Sequence, residues 1–220
     1  MGLLVVVSAM VGGRAVLGRV LEPGVVSGPL PACGFDDVAA PHATLDEWDR
    51  TLLDTTYELE RSYAPADLTA ITEAGIAGDG SVRAFVILDL EALDRAARRA
   101  GVRLTVSSAY RSYDTQARTF DSLVRAYGND YALRSAARPG HSEHQLGTTI
   151  DFDGGEAWLA DNAWRFGFVM SYPPARSPAF TCYMPEPWHF RYLGRERAAS
   201  IHAAGVSPRE WLWDHANDAT

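Results

Sequence analysis

The sequence predicts an α+β fold, and three observations carry this prediction. Apolar residues recur at helical spacing in several long segments, whereas apolar and polar residues alternate in shorter segments near residues 102–107 and 148–153. Glycine and proline mark the boundaries between these segments, and no internal repeat interrupts them. A chain of 220 residues can bury one sizeable core, so we expect one domain with an N-terminal appendage.

The N-terminal part of the chain differs in pattern from the rest. Residues 13–43 contain Gly and Pro without a sustained period, so residues 1–43 are predicted to form an irregular lead-in and residues 44–220 a single domain. An apolar run at residues 1–12 indicates a secretory signal or an anchor within residues 1–20, although no basic residue precedes it. A mis-assigned start codon is the alternative.

Helical patterns dominate the first half of the domain. The capping-box pattern at residues 44–47, with apolar residues at helical spacing behind it, predicts a helix over about 44–60. A second helix is predicted from Asp89 to a C-terminal Gly101. A strand over 102–107 follows.

A third helix is predicted between the N-cap Ser112 and Gly128. Its buried side is predicted to consist of Phe120, Leu123, Val124 and Tyr127. Residues 148–153 alternate as a strand from which Asp151 projects. The remaining predicted elements are a helix at 156–165, strands at 168–171 and 188–192, and two short helices within 194–213.

Composition excludes several classes of function. The formal net charge is -8 and no basic cluster interrupts the acidic balance, so nucleic acid is not expected as a partner. All 20 basic side chains are Arg, which excludes a lysine nucleophile or Schiff base. No apolar run is long enough for an internal membrane span.

Two short motifs carry the chemistry. His144 and Asp151 stand in one segment, and Glu186 precedes His189 in another. Two imidazoles and one carboxylate give zinc three ligands with an open fourth position, and a spare glutamate can deprotonate the water that fills it. The motifs together predict a hydrolytic metal site, although the same donor set could hold iron.

Three ordered motifs carry a family resemblance. They are Ser-Ala-Tyr-Arg-Ser-Tyr-Asp-Thr-Gln at 108–116, Gly-His-Ser-Glu-His-Gln-Leu-Gly-Thr-Thr-Ile-Asp at 140–151 and Glu-Pro-Trp-His-Phe-Arg-Tyr at 186–192. With these motifs the chain resembles the VanY-type D-alanyl-D-alanine carboxypeptidases, within the zinc peptidases related to lysostaphin and hedgehog. The resemblance covers roughly residues 85–195. It implies a small antiparallel sheet that carries a zinc site and is flanked by helices.

The resemblance also implies roles for individual residues. His144, Asp151 and His189 are expected to bind one Zn²⁺ per chain, and Glu186 is expected to act as the general base. Arg111 is expected in the substrate site, where its donors suit either the oxyanion or a terminal carboxylate.

Gln116 and Ser142 match positions that the family uses to hold the substrate carboxylate. A solvated helix residue and a turn cap, respectively, are the alternatives. His141 falls outside the metal pattern and is expected at the rim or just behind the ligands. Trp188 is expected to be a packing residue.

Cys33 and Cys182 are the only two cysteines, so they form either one long-range disulfide or two buried thiols. A cell-wall substrate favours an extracytoplasmic or secreted protein, and therefore the disulfide. Such a bond would hold the lead-in against the catalytic strand.

The expected activity is removal of the terminal D-Ala from peptidoglycan stem peptides or precursors ending in D-Ala-D-Ala. A D,D-dipeptidase, an L,D-carboxypeptidase or an endopeptidase would need the same ligands and base, and the loops at 128–140 and 171–183 are expected to distinguish them. A non-catalytic zinc-binding module is the alternative from another class, which the aligned Glu186 disfavours.

Overall fold

The structure is a computed structural model that describes residues 28–218. Its strands are β1 (Val38–Ala39), β2 (Tyr57–Glu58), β3 (Leu68–Ala70), β4 (Ala77–Gly78), β5 (Ser81–Arg83), β6 (Thr105–Ser108), β7 (Thr149–Asp153), β8 (Phe168–Tyr172) and β9 (Glu186–Tyr192). Its α-helices are α1 (Ile87–Arg99), α2 (Tyr113–Tyr127), α3 (Asn129–Ser135), α4 (Glu156–Asn162), α5 (Pro178–Thr181), α6 (Arg195–Ala204) and α7 (Pro208–Asp214). Short 3-10 helices are Leu45–Glu47, Ile71–Ala74, Ala84–Val86, Glu143–Leu146 and Ala163–Phe166.

Five strands form the central sheet in the order β4-β6-β7-β9-β8. All neighbours are antiparallel except the edge pair β4 and β6, which is parallel. Two separate two-stranded sheets pair β1 with β2 and β3 with β5. The predicted α+β class with a small, largely antiparallel sheet flanked by helices is therefore confirmed.

The main core lies on one face of this sheet, against α1. Ile150 and Phe152 of β7 and Phe190 of β9 are at most 1% exposed, and they join one apolar cluster with Leu90 and Leu93 of α1. Burial of such side chains contributes roughly 1.5–3 kcal/mol each. Because side chains alternate along a strand, the residues between them face the other side of the sheet.

The first predicted helix, over residues 44–60, is wrong. Only Leu45–Glu47 forms a helical turn, and the chain then turns into β2. Leu52 packs against α7, whereas Leu53 packs in a separate cluster beside Leu146. The apolar residues therefore serve different clusters rather than one helix face.

The other predicted helices and strands are present, with boundaries shifted by a few residues. Ser112 caps α2 by accepting a hydrogen bond from the backbone N–H of Thr115. Within α2, Phe120 is buried as predicted, but Tyr127 is 65% exposed, so its assignment to the buried side is wrong. Tyr127 packs instead against Tyr131 of α3 on the surface, with ring centroids 4.9 Å apart.

A disulfide joins Cys33 to Cys182, which follows α5 directly. It ties the segment before β1 to the loop that leads into β9. The signal or anchor predicted within residues 1–20 lies outside the described residues. Among residues 28–218, no helix combines the length and apolar character needed to cross a membrane.

Candidate active site

Two of the three predicted metal ligands lie on adjacent strands. Asp151 on β7 is paired in register with His189 on β9, so the two side chains lie on the same face of the sheet. Ile150 and Phe190, their neighbours along the strands, point into the core on the opposite face. The alternation of the two strands thus turns one carboxylate and one imidazole toward the same space.

His144 comes from the short helical turn before β7. Its Nδ1–H donates to the backbone oxygen of Ala109 at 2.6 Å, and its Nε2 lies 3.1 Å from Oδ2 of Asp151. Gly147 ends the turn with a φ of 73°. A Cβ atom there would lie 3.0 Å from Cγ of Arg83, and the left-handed backbone conformation is one that larger residues rarely adopt, so glycine suits this position.

His144 and His189 each lie within 3.1 Å of Asp151, but the donor atoms of His144 and Asp151 at these short contacts do not form hydrogen bonds. Nδ1 of His189 lies 3.0 Å from Oδ1 of Asp151. Within residues 28–218, Nε2 of His144 and Oδ1 of Asp151 are buried without a hydrogen-bond partner. Unpaired buried polar atoms are costly unless something else satisfies them. Two imidazole nitrogens and a carboxylate oxygen are donors that zinc prefers, so these residues fit a zinc ion.

An irregularity in the sheet brings Glu186 to the same space. Residues three apart on a regular strand face opposite sides. Here the register between β8 and β9 shifts: Met170 pairs with Phe190, but Tyr172 pairs with Glu186. The extra residues on β9 turn Glu186 back toward His189, and its Oε2 lies 3.5 Å from Nδ1 of that ring.

The two carboxyl groups have opposite acidities. Burial raises the pKa of Glu186 to about 7, an effect that neighbouring Asp151 reinforces and His189 and Arg111 oppose. Asp151 is also buried, but His144 and His189 outweigh burial and hold its pKa well below its usual range. Glu186 can therefore exchange a proton near neutral pH, whereas Asp151 stays ionised as a metal ligand requires.

Arg111 lies in the loop between β6 and α2. Its backbone N–H donates to the backbone oxygen of His144 at 3.2 Å, which fixes the loop beside the ligand turn. The guanidinium lines the cavity, and no carboxylate of residues 28–218 forms an ion pair with it. Burial lowers the pKa of Arg111, with Asp151 and Glu186 acting in the opposite direction. An arginine nevertheless stays charged, so the cavity contains a cation that is available to an anion.

Gln116 and Ser142 line the same cavity and are 1% and 3% exposed. Nε2 of Gln116 donates to the backbone oxygen of Ala137 at 2.6 Å, while its Oε1 is buried without a partner in the described part of the chain. The alternative of a solvated helix residue is therefore wrong for Gln116. Its amide is oriented by the backbone and still has one N–H left to donate.

The cavity has a volume of about 230 Å³, below the roughly 300–1,000 Å³ of pockets for drug-sized ligands. Its walls include Ser135 on one side and Tyr172 and Tyr183 on the other. These residues belong to the segments 128–140 and 171–183, which were expected to form the walls. Trp188 also lines the cavity and is 43% exposed, so its prediction as a packing residue is wrong.

Glu143 is a residue of the site that the sequence patterns missed. It is 5% exposed, and its carboxylate lies 3.0 Å from Nε2 of His189, 3.0 Å from Nη1 of Arg191 and 2.6 Å from Oγ of Ser171. Burial raises the pKa of Glu143, but His189 and Arg191 outweigh it and bring the pKa to about 2. The sequence signal that could have pointed to Glu143 is the strand predicted over 188–192. Its two-residue period puts His189 and Arg191, the two partners of Glu143, on one face.

His141 does not lie at the rim of the site, as had been expected. It is 1% exposed, its Nδ1 bonds to the backbone oxygen of Asp54 at 2.8 Å, and its Nε2 lies 3.2 Å from Oδ1 of Asp37. Both ring nitrogens therefore have partners outside the metal site, one in the lead-in at Asp37 and one in the domain at Asp54. The adjacency of His141 to the motif concealed this separate role.

Comparison with known proteins agrees with this geometry. The VanY family of D-alanyl-D-alanine carboxypeptidases matches residues 80–195, which is more than half of the chain. The chain is 38% identical over 141 residues to a D-alanyl-D-alanine carboxypeptidase of Enterococcus faecalis, covering 56% of this chain and 52% of that protein. It spans about half to two thirds of the length of the curated relatives that it matches first.

Solved structures share the fold. The vancomycin-resistance D,D-pentapeptidase VanY, in a variant bound to Zn(II), matches with a TM-score of 0.67 and 30% identity, over 75% of this chain and 99% of that one. The LD-carboxypeptidase LdcB matches with the same TM-score and identity, over 73% of this chain and 84% of that one. The chain therefore belongs to the VanY family of D-alanyl-D-alanine carboxypeptidases.

Proposed function

We propose that this protein is a zinc-dependent carboxypeptidase that removes the terminal D-Ala from peptidoglycan stem peptides ending in D-Ala-D-Ala. One observation carries the proposal. Asp151, His189, Glu186 and Arg111 line one cavity, and Nε2 of the buried His144 lies 3.1 Å from the Asp151 carboxylate. A metal site, a base and an anion-binding group in one small cavity are the parts that hydrolysis of a C-terminal peptide bond requires.

Zinc held by His144, Asp151 and His189 would supply Lewis-acid activation of a water molecule and of the scissile carbonyl. Glu186 accepts the proton that this water releases as its oxygen attacks the carbonyl carbon. The same carboxyl then gives the proton to the leaving nitrogen as the C–N bond breaks. Burial raises the pKa of Glu186 in the metal-free protein, which favours acceptance of the proton, and the group must bind and release one proton in each cycle.

Arg111 and the polar groups near it bind the negative charge of the substrate. The free guanidinium can hold the terminal carboxylate or the developing oxyanion with paired N–H donors. Gln116 offers a buried amide N–H and Ser142 a hydroxyl on the same wall. Their burial strengthens these hydrogen bonds, since competing water is largely excluded.

The site of action that we propose is outside the cytoplasm, in a secreted or envelope-associated protein. The substrate lies there, and the LdcB structure to which this chain is similar concerns peptidoglycan recognition. The disulfide between Cys33 and Cys182 supports this location, because such bonds persist in oxidising compartments.

The test is incubation of purified, zinc-loaded protein with defined muropeptides, followed by mass spectrometry of the products. A pentapeptide ending in D-Ala-D-Ala is expected to lose one D-Ala. Hydrolysis only of the free dipeptide D-Ala-D-Ala, cleavage of tetrapeptides only, or cleavage within a cross-link would instead assign the dipeptidase, L,D-carboxypeptidase or endopeptidase activity.

Glu186→Gln is the matched control for catalysis. It keeps the size of the side chain but cannot accept a proton, so turnover is expected to fall by roughly 10²–10⁴-fold with zinc still bound. Turnover equal to that of the unmodified protein would remove the general base from the mechanism. Absence of hydrolysis of every substrate by the unmodified, zinc-loaded protein would favour a non-catalytic zinc-binding module.

A further inference from the structure

We propose that Glu143 is a positioning residue that assigns the metal-binding nitrogen of His189. Its carboxylate keeps the proton of that ring on Nε2, so Nδ1 presents its lone pair to the zinc site. This inference rests on the proposed zinc site and adds a residue whose side chain is directed at the far edge of a ligand rather than at the metal.

The contacts of the His189 ring identify its two edges. Nε2 lies 3.0 Å from Oε2 of Glu143, and Nδ1 lies 3.0 Å from Oδ1 of Asp151. An ionised carboxylate only accepts hydrogen bonds, so the nitrogen facing Glu143 must carry a proton. Oδ1 of Asp151 makes no hydrogen bond within the described part of the chain, so that contact does not require a proton on Nδ1, and Nδ1 is the nitrogen available to a metal.

In His144 the other ring nitrogen, Nε2, is available to a metal, and the reason is again a hydrogen-bond acceptor behind the ring. Its Nδ1–H donates to the backbone oxygen of Ala109, which leaves Nε2 for the metal. The two ligand rings therefore differ in the nitrogen that they offer, and each is set by an acceptor behind it. A backbone carbonyl performs this task for His144, whereas a charged side chain performs it for His189.

Glu143 is itself held from three directions. Ser171 donates to the same oxygen as His189, and Nη1 of Arg191 donates to the other oxygen. Nη2 of Arg191 also donates to the backbone oxygens of Trp48 and Thr51. Glu143 thus has a fixed orientation before any metal arrives, and the Arg191 charge compensates its burial.

Glu143→Gln tests the assignment because an amide cannot satisfy the same partners. If its oxygen faces His189, its NH₂ group faces the donor of Arg191. If the amide is reversed, its NH₂ group faces Nε2 of His189 and favours the ring form with the proton on Nδ1. Either arrangement weakens metal binding, and from the usual effect of such residues we expect a zinc affinity about 10–100-fold lower.

Asp54→Asn is the matched control. Asp54 is 1% exposed and forms a buried ion pair with Arg209 at 2.6 Å, away from the three ligands. Both substitutions remove the charge of a buried carboxylate that pairs with arginine. Thermal unfolding is expected to show destabilisation of both, whereas competition with a chromophoric zinc chelator should show weaker zinc binding only for Glu143→Gln.

Ring nitrogen NMR of the unmodified, zinc-loaded protein keeps the test independent of how the variants fold. The expected spectrum has the proton of His189 on Nε2 and zinc on Nδ1. The reverse pattern, or equal zinc affinity of a folded Glu143→Gln, would overturn the role of Glu143. An unmodified protein that binds no zinc would instead overturn the proposed function.

Discussion

Among residues 28–218, two clusters of histidine and carboxylate side chains bring their donor atoms together, and only one of these two is suited to hold a metal. His144, Asp151 and His189 form the first; Asp37, Glu58 and His141 form the second. Each cluster brings its donor atoms within 4.8 Å of one another. The difference lies in which donor atoms are already paired.

In the second cluster the donors are used by the protein. Both nitrogens of His141 have partners, namely the backbone oxygen of Asp54 and the carboxylate of Asp37. Arg138 also pairs with Asp37 and supplies the positive charge that a metal would otherwise provide. In the first cluster the available cation, Arg111, is unpaired among residues 28–218. Proximity of ligand types therefore does not by itself identify a metal site; the donor atoms without hydrogen-bond partners, in His144 and Asp151, distinguish the first cluster from the second.

The largest expected difference in zinc binding and activity is between variants of His144 and His141. His144→Ala should abolish stoichiometric zinc binding and lower activity by several kcal/mol of activation free energy, on the order of 10⁴-fold. His141→Ala should leave one zinc per chain and lower only the free energy of unfolding, because it removes buried hydrogen bonds. Metal analysis after dialysis measures the zinc content of both variants. A second zinc that disappears in His141→Ala would break the comparison.

The next largest difference, in kcat/KM, is expected between variants of Arg111 and Arg138. Arg111→Gln is expected to lower kcat/KM by roughly 10²–10³-fold, as loss of an oxyanion or carboxylate donor does. Arg138→Gln should change kcat/KM little, since Arg138 pairs with Asp37 and with the backbone oxygens of Asp36 and Thr55. Steady-state kinetics with one pentapeptide substrate measures kcat/KM for both variants. Similar losses in the two variants would mean that the Arg111 effect is structural.

The third prediction concerns pH and the stability of the metal-free protein. The pKa of Glu186 is raised from 4.5 to about 7, so its contribution to stability is full below about pH 4.5 and is lost as pH rises through 7. Glu186→Gln should therefore stabilise the metal-free fold by about 2–3 kcal/mol at pH 8 and by much less at pH 4. Urea unfolding at both pH values measures the difference.

Asp37 in the second cluster should behave in the opposite way. Hydrogen bonds from His141 and Arg138 lower its pKa, so the stability it contributes is present above its unfolded pKa of about 3.8 and is lost as pH falls through the lower folded value. Asp37→Asn should destabilise the protein at pH 7 but not under strongly acidic conditions. The same sign of pH dependence in both variants would contradict the contrast.

The smallest expected effect is that of Gln116. Gln116→Ala should raise KM about tenfold, because it removes one hydrogen bond to the substrate from a buried wall. Zinc affinity should not change, since Gln116 bonds to Ala137 and contacts none of the ligands through a hydrogen bond. A lower zinc affinity in this variant would show that the wall and the metal site are coupled.

Much of the fold could be predicted because its signals are local. The cap at Ser112, the alternation through Asp151 and the proline that starts α7 each act within a few residues. The helix predicted over 44–60 failed because its apolar residues pack in different clusters. Trp188 was misassigned because an aromatic side chain at a cavity and one in a core are alike in sequence.

The amino-acid sequence alone specifies the donor types, their order along the chain and the strands that carry Asp151 and His189. It also restricted the chemistry to a metal and a carboxylate base. These properties follow from residue identity and from the two-residue period of strands.

The tertiary structure is needed to know which donor atoms are unpaired and which carboxyl group has a raised pKa. The register shift that turns Glu186 toward His189 lies in the pairing of β9 with β8, and the partner that orients His189 is Glu143, 46 residues away. Burial, hydrogen-bond pairing and proton affinity depend on neighbours that are remote in sequence. That is why His141 and His144, three positions apart, have different roles.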